Sequence, residues 1–120
     1  MKDWNIIRPV VAQILRQQQY TNSGNYNGEP CFLTAYQIAV LVNDHDKTLK
    51  DASLPIGGEG VGPDSFARRI AWHLSDDVNK NVFNKKLEIQ FLSISGLETF
   101  TFDNGHSPSA EEFSMFRLIA

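Results

Sequence analysis

Residues 62–78 read Gly62-Pro63-Asp64-Ser65-Phe66-Ala67-Arg68-Arg69-Ile70-Ala71-Trp72-His73-Leu74-Ser75-Asp76-Asp77-Val78. Advanced by about 100° per residue, Phe66, Ala67, Ile70, Ala71, Leu74 and Val78 fall on one side of a helix, and Arg68, Arg69, Trp72 and Asp76 gather on another. The first side is apolar, as a core face must be. The second is polar apart from Trp72, and a face turned only to water does not need a tryptophan. Either a second layer of the protein covers Trp72 or a partner does. Pro63 suits the first turn of such a helix, and the pattern predicts a helix over 64–79.

Before this helix, residues 44–63 form a long connection. Its charges are interleaved, and Gly57, Gly58, Gly60 and Gly62 ease bending. A second helix precedes it at 34–43. Thr34 and Gln37 have capping-box spacing, Leu33 and Ile38 occupy staple positions, and Ala35, Ile38, Ala39, Leu41 and Val42 form the buried side. Cys31-Phe32-Leu33 reads as a short strand, and 21–30 reads as a loop rich in Asn, Ser and Gly. A first helix is expected over 9–19, because Pro9 inside a longer helix would remove a backbone donor. Asp3 offers a cap should the helix start earlier and bend at Pro9.

On the other side of the central helix, Leu87–Ile94 and Leu97–Phe102 carry strand-forming residues, with Ser95-Gly96 at the turn between them. They predict a hairpin over 87–102. A final helix is expected over 109–118, starting at Ser107-Pro108 or at a Ser109/Glu112 capping box. Residues 1–120 are read as one α+β domain.

Composition is that of an ordinary globular chain: 120 residues, 42% hydrophobic, 21% charged, with a formal net charge of −3. Cys31 is the only cysteine, which excludes an internal disulfide and suits a cytoplasmic protein. Neither a signal-peptide core nor an apolar run of membrane-spanning length is visible, so no membrane partner is expected. The acidic balance excludes broad polybasic attraction as a main mode of nucleic-acid binding, but not a local basic face.

The order of elements (helix, short strand, helix, helix, hairpin) resembles a winged helix-turn-helix domain. In that resemblance the 34–43 helix is the positioning helix, the 64–79 helix is the recognition helix, and 87–102 is the wing. The connection between the second and third helices is much longer than the 3–4 residues of the standard motif. The resemblance implies binding of double-stranded DNA.

Charge gives that implication a location. Arg68, Arg69, Lys80, Lys85 and Lys86 against Asp64, Asp76 and Asp77 leave residues 64–86 at +2, so the remainder carries −5. Arg68 and Arg69 are placed to reach phosphate or base edges, Lys85 and Lys86 to hold backbone at the base of the wing, and Ser65 and Trp72 to add contacts. The alternative is a protein-interaction or homo-oligomeric module, since Trp and Arg are the residues enriched at interface hot spots. The bland reading is a solvated helix face with balanced charges, Asp76 free in water and Asp77 paired with Lys80.

Other chemistry is less well supplied. Gly58, Gly60 and Gly62 before a helix suggest an anion loop, but the stretch lacks the Lys-Ser/Thr pair of a nucleotide-binding loop. His45, His73 and His106 are far apart, and the Asp residues near 44–51 do not complete a calcium loop. No metal, cofactor or catalytic constellation is expected, and a small anion-binding protein or enzyme is the minor alternative.

Overall fold

Three helices and a three-stranded antiparallel sheet build the protein, as seen in a computed structural model that describes residues 1–17, 30–57, 64–93 and 112–119. Helix α1 spans Trp4–Gln17 and buries Trp4, Ile7, Val11, Ala12, Ile14 and Leu15. It begins earlier than the expected 9–19. Asp3 caps it: Oδ1 accepts from the Asn5 amide at 2.8 Å, and the Asp3 carbonyl accepts from Ile6 and Ile7. Pro9 lies within the helix on its exposed side. The carbonyl it leaves without a helical donor is that of Asn5, an exposed residue, so water can satisfy it.

Strand β1 is the two-residue Leu33–Thr34, and helix α2 spans Ala35–His45. Thr34 serves both. It closes the strand and caps the helix through a reciprocal box, with Thr34 Oγ1 accepting from the Gln37 amide and Gln37 Oε1 accepting from the Thr34 amide. A single 3-10 turn, Lys47–Leu49, follows and buries Leu49. Helix α3 spans Phe66–Asp77 and packs mainly on α2. Its cap is Ser65, whose Oγ accepts from the Arg68 amide at 3.2 Å.

The chain between α2 and α3 is tied down where it meets α3. The Phe66 amide donates to the Pro55 carbonyl at 2.8 Å and the Ala67 amide to the Ile56 carbonyl at 2.9 Å. The two ends of the 57–65 stretch therefore lie side by side, which accommodates the long connection without separating the helices. Gly57 is required at the exit: its φ is +142°, and a Cβ there would meet Tyr36 at 2.9 Å.

Strand β2, Lys86–Ser93, pairs antiparallel with β3, Glu112–Ile119, from Lys86 opposite Ile119 to Ser93 opposite Glu112. β3 also pairs with β1, Leu33 opposite Phe116, giving the sheet order β1-β3-β2. One expectation changes here. Residues 112–119, expected as part of a helix over 109–118, are the central strand. The partner of β2 among the described residues is this strand; the second arm of the expected 87–102 hairpin, Leu97–Phe102, lies outside the described residues. The physical reason is pairing demand. Both β1 and β2 need a neighbour, and β3 satisfies both while placing Phe116 and Leu118 in the core at period-two spacing.

The core runs between the helices and one face of the sheet: Ile7, Val11 and Leu15 from α1, Ile38 and Val42 from α2, Phe66, Ile70 and Leu74 from α3, and Phe116 from β3 are all fully buried. No helix among the described residues is long and apolar enough to cross a membrane.

Candidate functional site

Helix α3 separates its residues as amphipathic spacing requires, with one exception. Phe66, Ala67, Ile70 and Leu74 enter the core, and Asp77 enters with them, only 1% exposed. A buried carboxylate needs compensation, and α1 provides it. Arg8 straddles the carboxylate, donating from Nε to Oδ2 at 2.9 Å and from Nη2 to Oδ1 at 3.1 Å. The Trp4 indole N–H adds a third bond to Oδ2 at 2.8 Å. Arg8 also donates to the Asn5 side chain at 2.9 Å and stands 5.9 Å from the centre of the Trp4 ring. Asp77 is thus paired across the fold with Arg8 rather than with its sequence neighbour Lys80.

His73 lies on the same side, one turn earlier. Its ring stacks on Trp4 with centroids 4.8 Å apart and planes within 9°, and meets Trp72 edge-on at 4.9 Å. Burial is the main influence lowering its pKa below 6.5; the neighbouring Asp77 opposes the shift and Arg8 reinforces it. Trp4, Arg8, His73 and Asp77 therefore lock the C-terminal half of α3 onto α1. The sequence held a signal for this: Trp4 and Arg8 are four apart on one helix, and His73 and Asp77 are four apart on the other.

Outward from that network stands Trp72, 68% exposed. Among the described residues no layer of the fold covers it. Arg68 is one turn before it and also exposed; among the described residues no carboxylate pairs with it. Arg69 is held by Asp64 through two bonds of 2.8 and 2.6 Å. That bonding holds the Asp64 carboxyl below its usual value and raises the Arg69 guanidinium. Asp76, one turn after Trp72, accepts from Lys80 Nζ at 2.6 Å and is likewise held low. Ser65, expected as a contact residue, is buried as the helix cap; its hydroxyl is used by the Arg68 amide and is not presented to a partner.

Beyond Lys80 the stripe continues into an open depression of about 460 Å³ between the end of α3 and the start of β2. Lys80, Lys85 and Lys86 line it together with Asn79, Asn81 and Asn84. The structure thus brings three of the expected basic residues to one concave surface and connects them, through the Lys80–Asp76 pair, to the stripe of Arg68 and Trp72. The three asparagines were not anticipated; their clustering within Asn79–Asn84 was the available signal.

Gly58, Gly60 and Gly62 lie outside the described residues. The first amides of α3, which an anion loop there would use, already donate to Pro55, Ile56 and Ser65. No group of three or more His, Cys, Asp or Glu side chains suited to a metal occurs among the described residues. No protein-family model matches the chain, no curated protein matches it, and no solved structure matches it.

Proposed function

We propose that this chain is a non-enzymatic, winged-helix-like protein that lays the outer face of α3 against double-stranded DNA. The observation that carries the reading is the segregation of charge. Asp77 counts against the basic segment in the sequence, but it is buried and matched by Arg8 from α1. The surface from residue 64 to 86 therefore presents five cations, Arg68, Arg69, Lys80, Lys85 and Lys86, against two carboxylates, Asp64 and Asp76. It stands at +3 in a chain whose net charge is −3, so the rest carries −6. A local positive face on an acidic body attracts phosphate while disfavouring unspecific wrapping. The order α1-β1-α2-α3-β2-β3 and the sheet order β1-β3-β2 support the winged-helix part. In this reading Arg68 and Trp72 meet the groove, and the exposed pairs Arg69–Asp64 and Lys80–Asp76 open toward phosphate, since pairs of this kind hold weakly.

The test is a titration with varied duplexes at two salt concentrations. With about four phosphates engaged, affinity should fall roughly a hundredfold between 50 and 200 mM salt. Reversing Arg68 and Arg69 to Glu should remove it. The second reading, a protein-binding face, is favoured by Trp72 itself: a fully formed helix presents a tryptophan beside two arginines, the composition of an interface hot spot. Absence of duplex binding at low salt would select that reading. Sedimentation of the native protein against Trp72→Ala would then ask whether the partner is a second copy.

A further inference from the structure

The depression between α3 and β2 is more than an extension of the helix face. Its walls are set by the fold. The Lys80 amide donates to the Asp77 carbonyl at 2.9 Å, turning the chain as the helix ends. Phe83 is buried and pins the middle of the turn. Asn84 then takes a left-handed φ of 57°, a conformation that asparagine tolerates better than most residues. Leu87, buried at the start of β2, fixes the far side. Between these anchors the chain doubles back, so that Lys85 and Lys86 face the same hollow as Asn79, Lys80 and Asn81. Among the described residues neither Lys85 nor Lys86 has an acidic partner, and Lys80 alone is paired, with Asp76. Cations gathered on a concave surface repel one another unless an anion joins them. The asparagine amides add neutral N–H donors.

We infer that this depression is a discrete binding site for a phosphoryl group, held by Lys80, Lys85 and Lys86 with the amides of Asn79, Asn81 and Asn84. Phosphate fits because it offers several acceptor oxygens and a charge that lysine ammonium groups match. Such a group reaches the site either on a nucleic-acid backbone or on a free phosphorylated small molecule. The inference deepens the DNA reading by naming where the backbone is gripped, but a free ligand would use the same atoms.

The experiment follows the backbone amides of the isotope-labelled full chain by NMR at constant ionic strength, first with inorganic pyrophosphate and then with a DNA duplex. Pyrophosphate should shift the amides of residues 79–87 and leave those of 66–72 in place. Lys85→Gln with Lys86→Gln should weaken that response roughly tenfold or more, and Lys85→Arg with Lys86→Arg should retain it. If the duplex also binds, the glutamine variant should flatten the dependence of log K on log salt by about 2. Pyrophosphate binding without duplex binding would keep the site and assign it to a free phosphorylated ligand, at the expense of the DNA reading. Duplex-induced shifts confined to α3, with no pyrophosphate response at 79–87, would overturn the site and leave the DNA reading standing. An unchanged pyrophosphate response in the glutamine variant would overturn it as well.

Discussion

Asp76 and Asp77 are adjacent in the sequence and opposite in situation. Asp76 is exposed, bonded to Lys80 four residues on. Asp77 is buried, bonded to a guanidinium and an indole from another helix. One residue of helix turns the side chain by about 100°, enough to carry it from water to the core boundary. The contrast teaches how a helix with a strongly charged outer face is still held firmly: the inner carboxylate supplies cross-fold bonds and removes its own charge from the surface, and the outer one tunes the exposed stripe.

The contrast is sharpest in stability. Asp77→Ala leaves Arg8 without its carboxylate and Trp4 without an acceptor, and should cost about 3–5 kcal/mol in urea unfolding. Replacing the pair together, Arg8→Met with Asp77→Leu, should recover most of that loss, since a well-packed apolar pair avoids the desolvation cost. Trp4→Phe keeps an aromatic ring beside His73 and deletes only the N–H donor; about 1–3 kcal/mol is expected by the same measurement. Ser65→Ala should cost about 1 kcal/mol through loss of the α3 cap. Asp76→Asn should shift the urea midpoint only slightly, because the Lys80–Asp76 pair it breaks is exposed.

The smallest effect concerns pH. The folded His73 has a pKa below its ordinary 6.5 because burial disfavours the imidazolium. Its unfolded form therefore binds a proton first as pH falls. The contribution is fully present above about 6.5 and is lost as pH drops through the folded value. Asp46, Asp51, Asp64 and Asp76 are all held below 3.8 by hydrogen bonds, so their contributions are lost only in stronger acid, outside the His73 window. His73→Phe should flatten the stability profile just below pH 6.5 and leave the acid limb in place, as read from urea midpoints across pH.

Much of this arrangement is legible in the residues, and the exceptions have physical causes. The Thr34–Gln37 box marks the start of α2 because both halves of the bond pattern lie within four residues. The apolar side of α3 is visible for the same local reason. The start of α1 is misjudged because Pro9 looks like a boundary, while the Asp3 cap and the buried Trp4 and Ile7 outweigh one lost backbone bond. Residues 112–119 mislead because Phe113 and Phe116 have helical spacing as well as lying in a strand. What decides is the need of β1 and β2 for a common neighbour, a long-range demand that no local window contains. At the candidate site, Arg68, Trp72 and the lysines are found by type and spacing. The pairing of Asp77 with Arg8 is not, because the partners are 69 residues apart, and a helical wheel offers the nearer Lys80 first.

The central claim is that the exposed stripe of α3 and the turn beyond it form a cationic face for DNA, with Asp76 the one carboxylate interrupting it beyond Trp72. Duplex affinity of the native protein and of Asp76→Asn, measured at two salt concentrations, tests this most directly. The substitution removes a negative charge and releases Lys80, so the variant should bind more tightly than the native protein and with a steeper salt dependence. Weaker binding by the variant, or no duplex binding by either protein at low salt, would contradict the claim.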